Sequence, residues 1–164
     1  MRPTPDPVLP GQQSVWSYPR PPRLEASERH LEILHRGEVI ADSRATIRTL
    51  ETSHPPSYYV PPADVALHCL TPIAKRSFCE WKGVAIYFDV RVGGETLKAV
   101  AWSYPDPTPA FQGLKDHIAF YPAPFEVCRI DGEQVRPQPG GFYGGWITAD
   151  LAGPFKGGPG SDFW

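Results

Sequence analysis

Two stretches concentrate side chains that could do chemistry. The first is Glu51-Thr52-Ser53-His54-Pro55-Pro56-Ser57-Tyr58-Tyr59-Val60-Pro61-Pro62-Ala63-Asp64-Val65. It mixes charge, hydroxyls, aromatics and prolines in a way that a plain core strand has no use for. The second is Ser77-Phe78-Cys79-Glu80-Trp81-Lys82-Gly83. A lysine such as Lys82 can meet an anionic group, or serve as acid or base beside a carboxylate such as Glu51 or Glu80. A cation near Cys79 would raise its thiolate fraction and make it a nucleophile or redox centre. The opposing reading is an inert buried thiol beside a solvated lysine. Arg20, on the extended Trp16-Ser17-Tyr18-Pro19-Arg20-Pro21-Pro22 segment, supplies a second cation. Tyr59, Trp102 and Tyr104 supply flat faces for stacking.

Other candidates read as structure. Ser53, His54 and Glu51 are too close in sequence for a Ser-His-acid triad, whose members normally meet through the fold. They read as turn residues capping backbone groups. His68 and Cys69 are adjacent, so on a strand they would face opposite sides and could not share a metal. Lys156-Gly157-Gly158-Pro159-Gly160-Ser161 lacks the spacing and the following helix of a phosphate-binding loop. It reads as a glycine-rich tail lying against the domain. For Trp16, Tyr18, Tyr59, Trp81, Trp102 and Tyr104, a ligand pocket and plain core packing stand as equal readings.

The elements that must position these residues are read as strands. The chain has 164 residues, enough for one ordinary domain with a core of its own. Its 21 prolines and 15 glycines are spread among aromatic and β-branched runs, which argues against long helices and for many tight connections. A net charge of −2 gives no bulk attraction to nucleic acid or anionic lipid. No run approaches the ~18 apolar residues of a membrane-spanning helix, and the N-terminus lacks the apolar core of a signal peptide. Three cysteines without a CxxC pair argue against a disulfide framework and a four-cysteine zinc site, and fit a cytoplasmic protein.

Hairpins are expected at Arg36-Gly37, Gly93-Gly94 and Asp131-Gly132. Strands are expected over Ala45–Leu50, Tyr58–Val60 and Ile118–Tyr121, with short helical turns at Ala63–Val65 and Phe111–Asp116. Pairing Val92 with Glu95 puts Asp89 opposite Lys98 and Gly83 opposite Tyr104. It also puts Val100 and Trp102 on one face with Tyr87. Large side chains on both faces make this hairpin the expected centre of the sheet. Residues 1–13 read as a flexible proline-rich lead, 14–136 as the domain, and 137–164 as a Gly/Pro/aromatic tail packed on it. Phe142, Tyr143, Trp146, Phe155 and Trp164 carry the apolar surface for that packing.

The ordered motifs at Glu51–Val65, Ser77–Tyr87 and Ala101-Trp102-Ser103-Tyr104-Pro105, led by Trp16–Pro22, resemble a bacterial and fungal family. It is called domain of unknown function four-two-seven, and some collections label it a nucleotidyltransferase. The resemblance implies an all-β, single small domain of the β-tent type, the fold of methionine-R-sulfoxide reductases and Yippee proteins. Many β-tent relatives hold zinc between two CxxC pairs. This chain has none, so a version without structural zinc is implied.

The residues lead to a small-ligand-binding β domain, with a pocket for a polar or aromatic ligand. Glu51, Lys82 and Cys79 are the candidate catalytic groups, and Arg20, Tyr59, Trp102 and Tyr104 the candidate ligand contacts. No metal, cofactor, nucleic acid or membrane is expected. The reading permits an enzyme without demanding one. Nucleotidyl transfer and a peptide or protein interaction module stand as the alternatives.

Overall fold

A computed structural model describes residues 2–164. The strands are β1 (Gln13–Ser14), β2 (Arg23–Ser27), β3 (Leu31–His35), β4 (Glu38–Ser43), β5 (Thr46–Leu50) and β6 (Ser57–Val60). They continue as β7 (Leu70–Cys79), β8 (Gly83–Val92), β9 (Glu95–Ser103), β10 (Ile118–Phe120) and β11 (Val127–Ile130). Short strands complete the set: β12 (Glu133–Gln134), β13 (Arg136–Pro137), β14 (Trp146–Ile147) and β15 (Leu151–Ala152). Only short 3-10 turns interrupt them, so the protein is all-β and forms one small domain, as expected.

A seven-stranded antiparallel sheet has the order β2-β5-β6-β10-β9-β8-β7. A four-stranded antiparallel sheet has the order β12-β11-β3-β4. Alternation along the strands builds the core between them. Leu31, Ile33, Ile40, Cys128 and Ile130 of the small sheet join Tyr58, Val60, Val90, Val92 and Phe120 of the large one in a single buried cluster. Trp146 from the tail completes it, its Nε1 donating to the Phe120 carbonyl at 2.9 Å.

The three hairpins form where the Gly-containing turns placed them, and Thr46–Leu50 and Ser57–Val60 are strands. The Gly93-Gly94 hairpin, however, is not the centre of its sheet. β10 holds that place, with β8 one strand from the edge. Register also departs from expectation. Val92 pairs with Glu95 and Val90 with Leu97, but Phe88 then pairs with Ala101 and Tyr87 with Trp102. Two extra residues are accommodated in β9 opposite Asp89. The Asp89 carboxylate accepts the Ala99 N–H at 2.8 Å, and Ala99 takes a left-handed φ of 53°. The side chain of Asp89 thus organises a bulge. Lys98 still lies 3.7 Å from it, as a bulge contact and not a cross-strand pair. Val100 therefore enters the inner core, while Trp102 faces the other side. Gly83 pairs with Cys79, and Tyr104 bridges to Lys115.

β7 escaped the sequence reading because Pro72 and the Lys75-Arg76 pair hide its pattern. It is an edge strand, where a missing N–H and a register shift between Ile73 and Arg76 are tolerated. At the N-terminus, the lead read as flexible makes backbone bonds to the tail: Asp6 N–H to the Gly153 carbonyl at 2.8 Å, and β1 alongside β15. Of the five tail aromatics expected to bury, Trp146 is fully buried, Tyr143, Phe155 and Trp164 are half-buried, and Phe142 is exposed. The glycines explain how the tail lies so close. A Cβ on Gly144 would overlap the Trp102 ring, and one on Gly145 would sit 2.6 Å from the Pro55 carbonyl oxygen.

Candidate functional site

The outer face of the large sheet, away from the small one, carries a cavity of ≈ 870 Å³. Its floor is Ser77 and Cys79 from β7, Tyr87 from β8, Trp102 from β9 and Tyr59 from β6. One wall is the turn after β5, with Glu51 and His54. A second is Glu80-Trp81-Lys82 between β7 and β8. The third is the tail, with Gln138, Phe142, Tyr143 and Lys156. All seven residues singled out from the sequence, Arg20, Glu51, Tyr59, Cys79, Lys82, Trp102 and Tyr104, line this one cavity. A smaller hollow of ≈ 470 Å³ lies behind Tyr143, walled by Pro122, Pro124, Pro137 and Pro139. Lys98 is the only charged side chain among its lining residues, beside the polar Tyr121, Gln138 and Tyr143.

The Glu51 carboxylate is reached from two sides. Oε2 is 3.4 Å from Nε of Arg20 and 3.7 Å from Nε2 of His54. Arg20 is itself oriented by donating Nη2 to the Thr52 carbonyl at 2.8 Å. The turn reading of this segment holds for the backbone: His54 N–H bonds the Glu51 carbonyl at 3.0 Å, and Ser53 is fully buried with a φ of 72°. Ser53 does not line the cavity, so no Ser-His pair forms there. The His54 ring, however, does reach the cavity. It packs edge-on to Tyr143 at 4.6 Å and meets Nε2 of Gln138 at 3.0 Å. Burial first, then the charges of Lys156, Arg20 and Lys82, hold its pKa down to about 3, so the imidazole is neutral.

Lys82 is 9 % exposed and makes no ion pair among the described residues. Its ammonium lies 5.9 Å from the Tyr104 ring centre and 6.0 Å from that of Phe111, within cation–π range. The turn that carries it is secured by Thr108, whose N–H bonds the Lys82 carbonyl at 3.2 Å and whose Oγ1 bonds the Trp81 carbonyl at 2.5 Å.

The aromatic floor is hydrogen-bonded through its polar tips. Trp102 Nε1 donates to the Tyr59 hydroxyl at 3.1 Å, with the two rings edge-to-face at 6.1 Å. Ser77 and Tyr87 share a hydrogen bond at 2.8 Å, and the Tyr121 hydroxyl donates to the Phe142 carbonyl at 3.3 Å. Burial pushes the phenols of Tyr59 and Tyr104 well above the ordinary tyrosine value. Burial, then neighbouring Tyr87, pushes Tyr121 up to about 12. These hydroxyls stay protonated at neutral pH. Cys79 sits half-buried among them and bonds no acid or base among the described residues.

Four cations line the cavity, Arg20, Lys75, Lys82 and Lys156, against two carboxylates, Glu51 and Glu80. The site therefore attracts anions although the whole chain is slightly acidic. His54, Gln138, Tyr143 and Lys156 were missed by sequence reasoning. Lys156, a lone charge within a glycine run, was the one signal in the tail. On the opposite sheet His30, Glu32 and Asp42 place metal-type atoms within 4.8 Å of one another. There His30 Nε2 is hydrogen-bonded to Asp42 at 2.7 Å, which reads as a surface hydrogen bond.

Among the described residues, no helix is long and apolar enough to cross a membrane. Comparison with curated proteins finds no match. One family profile does match, over residues 23–132. That span holds Glu51, His54, Tyr59, Cys79, Lys82, Trp102 and Tyr104, while Arg20, Gln138, Tyr143 and Lys156 lie outside it. On this match the chain belongs to the family described as a domain of unknown function, DUF427.

Proposed function

We propose that the domain binds a small organic anion with a planar ring in the outer-face cavity. The observation that carries this reading is Lys82: a lysine only 9 % exposed, with no carboxylate partner among the described residues, facing aromatic walls. Desolvating a lysine is costly unless something meets its charge. The ring faces of Trp102, Tyr104 and Tyr59 hold the flat part of the ligand, and Arg20 and Lys156 reinforce the attraction for its charge. Glu51 orients a donor of the ligand or takes a proton from it. The nucleotidyl-transfer reading in the family's short name calls for carboxylates clustered at an in-line phosphoryl site. Here Glu51 is already engaged by Arg20, which favours binding over transfer.

Thermal-shift titration with benzoate, phenyl phosphate and benzylamine tests this in a cytoplasm-like buffer. A ligand that binds only the folded state raises Tm with concentration. The two anions raise Tm in the wild type, and benzylamine does not. Lys82→Met moves the anion response to ~10–100-fold higher concentration. Equal shifts from anions and amine, or an unchanged response in Lys82→Met, overturn the reading.

A further inference from the structure

Gln138 enters the cavity from the tail with its amide fixed from both sides. Its Oε1 accepts the Gly145 N–H at 3.0 Å, and its Nε2 donates to the Lys156 carbonyl at 2.9 Å. Exchanging the two amide atoms would set donor against donor and acceptor against acceptor. The same Nε2 is 3.0 Å from Nδ1 of His54, so Nδ1 must accept and carries no proton. The proton of the neutral ring is then on Nε2, the atom that lies 3.7 Å from the Glu51 carboxylate. The charged groups that face this ring are Glu51 from the same turn, Arg20 from the N-terminal segment, Lys82 from the β7–β8 turn and Lys156 from the tail, with Asp162 acting on the neighbouring Tyr143 and Trp164 bonded to Arg20 and Lys156. The phenol ring of Tyr143 closes the remaining side.

We propose that Gln138 is a specificity-determining residue: it fixes His54 as the neutral Nε2–H form, so that the ring presents a donor and no free lone pair to a carboxylate or phosphate oxygen. The inference rests on the ligand reading above and refines it. A histidine free to exchange tautomers could offer a lone pair to an amine or amide N–H. Held by Gln138, it offers only a donor, as do Arg20, Lys82 and Lys156. The acceptors at this corner are already engaged: Glu51 faces Arg20 and His54, and the Trp164 carbonyl oxygen accepts from Arg20 and Lys156. Recognition then works by exclusion as well as attraction, because an ammonium or amide N–H placed here meets donors, and acceptors already taken by Arg20, His54 and Lys156. Gly145 is part of the device: a Cβ there would come within 2.5 Å of Gln138 Oε1.

Imidazole nitrogen NMR of the ¹⁵N-labelled wild type tests the first half without any variant or ligand. Nδ1 of His54 is expected to give an unprotonated signal and Nε2 a protonated one, unchanged from pH 8 to pH 5. A proton on Nδ1, or titration near the ordinary histidine value, overturns the proposal. The second half compares benzoate with benzylamine by chemical-shift titration in wild type and in Gln138→Met, which removes the donor without adding charge. The preference for benzoate is expected to narrow roughly tenfold, the scale of one hydrogen bond to a charged group. An unchanged preference in folded Gln138→Met overturns the specificity claim. Should Gln138→Met not fold, the wild-type titration decides. If neither benzoate nor phenyl phosphate binds the wild type, the ligand reading fails and the specificity claim with it, even where the imidazole signals are as expected.

Discussion

The two faces of the large sheet are made by the same strands and do opposite work. Tyr58 faces inward, packed against Trp146 at 5.5 Å, while its neighbour Tyr59 faces outward and bonds Trp102. Ala101 faces inward and Trp102 outward. The inner face meets the small sheet in an aliphatic and aromatic core. The outer face meets turns and tail, and between them leaves a cavity lined with hydroxyls and cations. Period-two alternation thus lets one strand stabilise the fold on one side and shape a polar site on the other. The cost of a substitution should depend on the face it lies on, not on the strand that carries it.

The largest effect on stability is expected on the inner face. Trp146→Ala removes a fully buried ring and the bond to Phe120, and is expected to cost ~3–5 kcal/mol in urea unfolding. A cost below about 1 kcal/mol would break the contrast between faces. On the outer face, Lys82→Met replaces an unpaired buried charge with an apolar chain of similar shape. Stability is expected to hold or rise, while affinity for an aromatic anion falls ~10–100-fold. Glu51→Gln is likewise expected to fold normally, with its effect appearing in ligand binding or turnover.

Much of this division was legible in the sequence. The Gly-containing turns marked the hairpins, and charged residues at the ends of apolar runs marked the cavity rim. Glu51 could be grouped with Lys82 because one follows a strand and the other precedes the Gly93-Gly94 hairpin, and with Trp102 because it lies on that hairpin's second strand. What stayed hidden depended on contacts distant in sequence. The β9 bulge depends on where the Asp89 carboxylate lands, and the left-handed backbone at Ala99 within it breaks the alternation, so that Val100 faces the opposite side from Trp102. His54 looked like a turn residue because its partner Gln138 is 84 positions away. The tail's role rests on glycines whose value is the close approach they permit to Trp102 and Pro55, which no local pattern announces.

A smaller effect sharpens the electrostatic side of the comparison. His54 has its folded pKa lowered from 6.5 to about 3, so the unfolded chain takes up a proton first on acidification. Its contribution to stability is fully present above pH 6.5 and is lost as pH falls from there toward 3. The slope from this one group is at most about 1.4 kcal/mol per pH unit. His54→Gln should therefore lose less stability than wild type between pH 6.5 and 4.5 in parallel urea titrations. Identical losses would show that the ring is not held neutral. The smallest change is Ser77→Ala, which deletes one half-exposed hydrogen bond to Tyr87 and is expected to cost about 1 kcal/mol or less.

The central claim is that the outer-face cavity holds an aromatic anion by its charge and its ring together. A crystal soaked in 4-bromobenzoate tests it most directly, because the anomalous signal of bromine locates the ring without bias. The account predicts one site on the outer face, with the ring against Trp102 and Tyr104 and the carboxylate toward Lys82. Bromine found only in the polar recess lined by Arg29 and Arg48, or in the proline-walled hollow behind Tyr143, would contradict it.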